Sequence, residues 1–228
     1  VAGLERYFEF SVNSAAEVLE RNDADTLATL ANAWNLGSSE VEWSEIQVPK
    51  TRDKRAVIIA PLYRQQWHHD KVGSKGVWET GIYGQGATVA VVDDGLEYDH
   101  PDLRANFCAE CSYDFNRGQA LPTPTAPDDH GTSAVGVAAA GNNTSCGVGI
   151  AYMSRIAGIR LISEPATDAQ EARGLTFRND INDIFSCSWG PTDDGRRLEG
   201  PGVLTKAAML EAVTSGRSGK GTIFVWAA

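Results

Sequence analysis

Two adjacent carboxylates and one imidazole carry the chemistry that this 228-residue chain can offer. Val91-Val-Asp-Asp-Gly95 closes an apolar run, so Asp93 and Asp94 arrive where a strand gives way to a loop. Thirty-seven residues after Asp93, His130-Gly-Thr-Ser133 follows the acidic pair Asp128-Asp129. A carboxylate that fixes one imidazole nitrogen leaves the other free to take a proton from a nucleophile. Gly131, with no Cβ, lets a second backbone come close to the histidine. Two plainer readings compete for Asp93-Asp94: a polar turn at a strand end, and an acidic pair that accepts a phosphoryl group or holds magnesium.

The surrounding elements must bring those groups together. The pattern predicts strands over Ala87–Val92, Arg155–Ile162, Ile184–Ser188 and Thr222–Ala228. Between them it predicts helices over Thr132–Ala140, Thr167–Leu175 and Gly202–Ser215, the second opened by Thr167 as N-cap with Gln170 three residues on. Strands alternating with helices imply parallel pairing through right-handed crossovers. Chemistry in such sheets gathers beyond the carboxyl ends of the strands, where Asp93 lies.

Residues 1–55 have a different texture. Tyr7–Val12 and Val41–Val48 alternate as strands do. Asn13-Ser14 caps a predicted helix running to Glu20, and Asp25 opens another over Thr26–Trp34. Basic, turn-prone Pro49–Arg55 follows. The chain starts at Val1 and stops at Ala228 inside an apolar run, which reads as a fragment of a longer protein.

Several long motifs in order, from about Gln65 to the last residue, resemble the kexin/furin branch of the subtilisin-like serine proteases. They are Val91-Val-Asp-Asp-Gly-Leu-Glu-Tyr-Asp-His-Pro-Asp-Leu103, His130-Gly-Thr-Ser133, Cys146-Gly-Val-Gly149, Ser186-Cys-Ser-Trp-Gly-Pro-Thr-Asp-Asp-Gly195 and Ile223-Phe-Val-Trp-Ala-Ala228. The resemblance implies an α/β, three-layer subtilisin-like fold with a mostly parallel sheet, incomplete at its C-terminal end. It further implies that residues 1–55 are the tail of an α+β propeptide and 56–228 the N-terminal part of the catalytic domain.

By that resemblance Asp93 is the triad aspartate and His130 the general base. The nucleophilic serine and the oxyanion-hole asparagine would lie beyond Ala228, which makes the fragment itself inert. Asp94 would line the pocket for the second residue before the cut and Asp193 the pocket for the first. Glu171 and Glu199 would serve the fourth, with Ser188, Trp189 and Gly190 running beside the substrate as an added strand. Clustered carboxylates favour guanidinium and ammonium groups, and arginine's planar fork can pair two oxygens. Arg52-Asp-Lys-Arg55 offers that pattern just ahead of Ala56, so self-cleavage after Arg55 is expected, with the chain's own propeptide acting as an intramolecular inhibitor.

Calcium is the cofactor the resemblance implies, held by Asp102, the Asn143 side-chain oxygen and the carbonyls of Ala140, Ser145 and Gly147. One further aspartate of that set is replaced by Ala60. Asn142-Asn-Thr144 and Asn143-Thr-Ser145 are also glycosylation sequons. Cys108-Ala-Glu-Cys111 is half a zinc pattern without a second pair, which leaves a small local disulfide or two free thiols. By resemblance Cys146 would pair with a cysteine beyond Ala228, whereas Cys187 reads as a small buried hydrophobe.

Composition bounds the rest. Twenty basic against thirty acidic side chains give a net charge of −10, which disfavours nucleic acid held on a basic surface. No apolar run reaches the roughly 18–20 residues of a membrane span. The leading reading is a calcium-dependent endopeptidase cutting polypeptides after paired basic residues, working in the secretory pathway or in an extracellular or periplasmic space. The alternatives are a broad-specificity secreted subtilisin, a catalytically dead peptide-binding pseudoprotease and, weakest, a phospho-receiver.

Overall fold

The computed structural model describes residues 57–190, 194, 196 and 200–227. The strands and helices predicted within residues 1–55 lie outside the described residues.

Burial on both faces decides the central strand. β1 (Thr88–Asp93) is rich in valine, and all but one of its residues are buried. It pairs in parallel with β3 (Arg155–Arg160) on one side and with β4 (Ile184–Cys187) on the other. Short β2 (Tyr113–Asp114) and β5 (Ile223–Trp226) complete a five-stranded parallel sheet in the order β2-β3-β1-β4-β5.

Successive β1 side chains point to opposite faces, and the core divides accordingly. Val91 packs with Leu96, Leu103 and Ile156 and with Val135 and Ala139 of α3 (His130–Ala139). Ala90 and Val92 face the other way, toward Phe185, Leu161 and Leu175, and Met209 of α5 (Val203–Gly219) joins them. Leu175 follows α4 (Asp168–Gly174), which packs on α5. Helices thus cover both faces, as an all-parallel sheet requires. Each fully buried Leu, Ile, Val or Phe contributes about 1.5–3 kcal/mol of hydrophobic stabilisation.

The capping box at Thr167 forms as the sequence predicts, with Thr167 Oγ1 accepting from the Gln170 amide and the Gln170 side chain accepting from the Thr167 amide. Helix α5 keeps helical backbone to Ser215 and then kinks through Gly216, Arg217 and Ser218. β4 and β5 are shorter than predicted. Short β2, α1 (His68–Val72) and α2 (Ser74–Trp78) have no counterpart in the sequence reading. Five-residue helices separated by Gly73, which sits at φ +69°, are too brief to establish a helical period.

Candidate active site

Strand β1 ends on Asp93 and helix α3 begins on His130, so the two side chains meet at the carboxyl edge of the sheet. Both carboxylate oxygens of Asp93 lie 3.0 Å from His130 Nδ1. The Asp93 side chain is 1% exposed and that of His130 59%, so a buried carboxylate holds an imidazole that reaches solvent. A carboxylate accepts, which puts the proton on Nδ1 and leaves Nε2 as the free base. Burial pushes the Asp93 carboxyl above its ordinary value, against the opposing hydrogen bond from His130. That same hydrogen bond and the adjacent negative charge raise the His130 pKa.

Asp94 fixes the helix that carries the base. Its Oδ1 accepts from the Gly131 amide at 2.8 Å and its Oδ2 from the His130 amide at 3.1 Å. It therefore caps α3 from another element, while Asp129 at the N-cap position makes no side-chain cap bond. The Asp94 amide donates to Asp93 Oδ1 at 2.8 Å. Gly131 is needed for this close approach: a Cβ there would collide with the Gly95 carbonyl and lie 2.9 Å from the Asp93 Cβ.

A residue the sequence reading passed over sits beneath the pair. Arg160 stands beside Asp93 across the β1–β3 register and is 1% exposed. Its Nε donates to the Asp94 carbonyl at 3.0 Å and its Nη1 to Asp114 Oδ2 at 3.3 Å. Its Nη2 donates to Asp128 Oδ2 and Thr125 Oγ1, each at 3.1 Å, and to Ser163 Oγ. Burial alone would raise the Asp128 carboxyl, but hydrogen bonds from Ser163, Thr125 and Arg160 outweigh it and hold the group at about 2. A cation closing the apolar run Ile156-Ala-Gly-Ile159 was the available signal.

The predicted substrate-binding residues are distributed unevenly. Ser188 and Gly190 are exposed just past β4. Between them Trp189 turns inward, its Nε1 donating to the Val92 carbonyl at 2.8 Å, and Trp226 Nε1 donates to the Trp189 carbonyl at 2.7 Å. Glu171 lies on α4. Burial raises its carboxyl, as does the nearby charge of Asp168, against a hydrogen bond from Thr205. Asp168 itself caps α5, accepting from the Leu204 and Thr205 amides at 2.9 Å. Asp193, Glu199, Arg52, Lys54, Arg55 and Ala56 lie outside the described residues.

The predicted metal ligands share one loop folded against Asp102, which is 4% exposed. Asp102 Oδ1 accepts from the Cys146 amide at 3.3 Å and Oδ2 from the Gly147 amide at 3.2 Å. Asn143 Oδ1 accepts from the Ser145 amide at 2.7 Å, and the Ala140 carbonyl accepts from the Gly149 amide at 2.8 Å. Among the described residues no cationic side chain pairs with Asp102. Gln66 pins the loop through both the amide and the carbonyl of Val148, and Asn142 binds Val57 and Ile59. Ala60 is buried against Trp78, Val148 and Tyr152.

Of the two readings left open for Cys108 and Cys111, the disulfide is the one formed. Cys146 is free and exposed, and Cys187 is free and buried, its thiol pushed up to about 12 chiefly by burial.

Comparison with known proteins agrees with this geometry. The subtilase family profile matches residues 84–228. Kexin of Saccharomyces cerevisiae is 46% identical over 193 residues, covering 81% of this chain and 24% of its own length. Protease KEX1 of Kluyveromyces lactis is 46% identical over 178 residues, covering 75% of this chain and 24% of its own length. Human proprotein convertase subtilisin/kexin type 4 is 42% identical over 200 residues, covering 82% and 26%. The chain thus spans about a quarter of the length of these curated relatives. The solved serine protease of Aeromonas sobria superposes with a TM-score of 0.63 at 26% identity, over 81% of this chain and 35% of that one. With its parallel sheet, the Asp93–His130 pair at the sheet edge and these matches, the chain belongs to the subtilase family, in its kexin-like branch.

Proposed function

We propose that this chain supplies the acid–base half of a serine endopeptidase that cleaves polypeptides after paired basic residues. The observation that carries the reading is His130 Nδ1 held 3.0 Å from both oxygens of buried Asp93, with the imidazole otherwise open to solvent. In this reading a serine hydroxyl from polypeptide beyond Ala228 attacks the scissile carbonyl and gives its proton to His130 Nε2. Asp93 keeps its negative charge and stabilises the imidazolium. That proton then passes to the leaving amine as the peptide bond breaks, leaving an acyl-enzyme that water hydrolyses by the same route.

Substrate choice rests on charge. The exposed stretch at Ser188 and Gly190 suits an extended peptide bound through its backbone, with Trp189 anchoring it to β1. Asp94 brings a carboxylate beside the base, and Glu171, Asp193 and Glu199 are the further acidic candidates for basic side chains. Arg52-Asp-Lys-Arg55 has the composition that such pockets accept, which supports self-processing before Ala56 and inhibition by the released segment. A place in the secretory pathway follows from the same reading. No helix among the described residues is long and apolar enough to cross a membrane.

The residues present fit a calcium ion. Asp102 is a buried carboxylate that, among the described residues, accepts from the Cys146 and Gly147 amides, and Asn143 with the carbonyls of Ala140, Ser145 and Gly147 offers further oxygen donors. A bound calcium would supply positive charge to Asp102 and tie the 140–147 loop. Ala60 contributes no carboxylate, so the donor set carries a single formal negative charge.

The test compares kcat/KM of the full-length protein on an Arg-Ser-Lys-Arg peptide with that on versions carrying alanine at the last or fourth-last position. The reading expects a loss of about a hundredfold or more when the residue before the cut is uncharged. Equal rates on apolar peptides would favour a broad-specificity subtilisin, and no cleavage of any peptide would favour a binding protein.

A further inference from the structure

We propose that Arg160 is a positioning residue for the catalytic pair: one buried guanidinium that ties down the backbone on either side of the Asp93–His130 hydrogen bond. The inference rests on the reading of these two residues as acid and base. Arg160 touches neither imidazole nor carboxylate of the pair. Its Nε holds the Asp94 carbonyl at 3.0 Å, and the amide of that same residue donates to Asp93 Oδ1 at 2.8 Å. The Asp94 carboxylate in turn takes the first two amides of α3, those of His130 and Gly131. On the other side, Nη2 holds Asp128, two residues ahead of His130, at 3.1 Å. Asp128 is also bound by Thr125 Oγ1 and Ser163 Oγ, each at 2.7 Å.

Beyond the β1–β3 ladder and the Asp94 cap, three segments therefore converge on a single planar fork: the end of β1, the lead-in to α3 and the end of β3. The fork's geometry is what lysine lacks, since an ammonium can satisfy one of these directions but not the carbonyl and both carboxylates together. The buried cation is also fully paired. A fully buried guanidinium faces Asp114 on one nitrogen and Asp128 on another, so burial does not leave it unpaired. A small shift of Asp93 against His130 is costly, because misplacement by about 1 Å can lower a rate about a hundredfold.

Arg160→Lys in the full-length protein tests this at constant charge. Asp93, Asp94 and Asp129 are the charged groups whose fields act on His130, and the substitution changes none of them. The His130 imidazole is titrated by NMR in both proteins, alongside kcat and KM on a basic peptide. The expectation is a His130 pKa lowered by about half a unit or more in the variant, toward its ordinary value. With it kcat falls about tenfold to a hundredfold while KM stays within about threefold. A folded variant with an unmoved His130 titration overturns the proposal, whatever its stability. Should Arg160→Lys not fold, Ser163→Ala removes one neutral strut of the same network. A smaller shift of His130 in the same direction supports the role, and none overturns it. The NMR titration needs no turnover, so a protein that cleaves nothing yet shows the shift refutes the proteolytic reading and keeps this one.

Discussion

At the scale of single residues, the proposed function makes the Asp93–His130 hydrogen bond the group that sets the pH of activity. A general base at His130 would work as neutral imidazole, and the bond to Asp93 and the charge beside it raise the His130 pKa above the ordinary 6.5. Activity should therefore be lost as the pH falls through a value above 6.5, read as the acid limb of kcat/KM against pH. A limb at or below 6.5 would contradict the pairing. Asp128 has the opposite sign: its carboxyl is depressed from 3.8 to about 2 in the folded state. It contributes stability that is present above about 3.8 and lost as the pH falls toward 2, which acid titration of Asp128→Asn against the parent would reveal. Asp93 and His130 were legible in the sequence because their types and order announce acid–base chemistry. Arg160 was not, because its role depends on which backbone carbonyl and which carboxylates the fold sets around it.

At the scale of elements, the close approach of α3 to the end of β1 depends on Gly131. Gly131→Ala would drive a methyl into the Gly95 carbonyl, so loss of activity and of stability should appear together, the latter by about 1–3 kcal/mol in urea unfolding. Thr167→Ala breaks the capping box of α4 and should cost about 1 kcal/mol. Because α4 also carries Glu171 and Asp168, that change should weaken preference for a basic fourth-last residue more than it lowers kcat on a substrate lacking one. Apolar period and capping residues made β1, β3, α3 and α4 legible to within a residue or two. The cap on α3 was hidden, since Asp94 reaches it from across the fold and Asp129, the residue in the local N-cap position, makes no such bond. Likewise β2 is a two-residue strand fixed by its pairing with β3 rather than by its own sequence.

At the scale of the whole molecule, the 140–147 loop, far along the chain from β1, closes over one buried carboxylate, Asp102. If this loop holds calcium as proposed, chelation should lower the melting temperature of the full-length protein and open residues 140–149 to proteolysis, and magnesium should restore neither. An order that the motifs already implied, parallel strands with Asp93 and His130 at one edge, is realised because each β1 face buries its own cluster and leaves only the strand's end for chemistry. The measurement that bears most directly on the account is kcat on a basic peptide for Asp93→Asn in the full-length protein. The expected result is a fall of about ten-thousandfold with KM little changed, because an amide in that place favours the wrong imidazole tautomer. A variant that keeps kcat within about tenfold of the parent would contradict it.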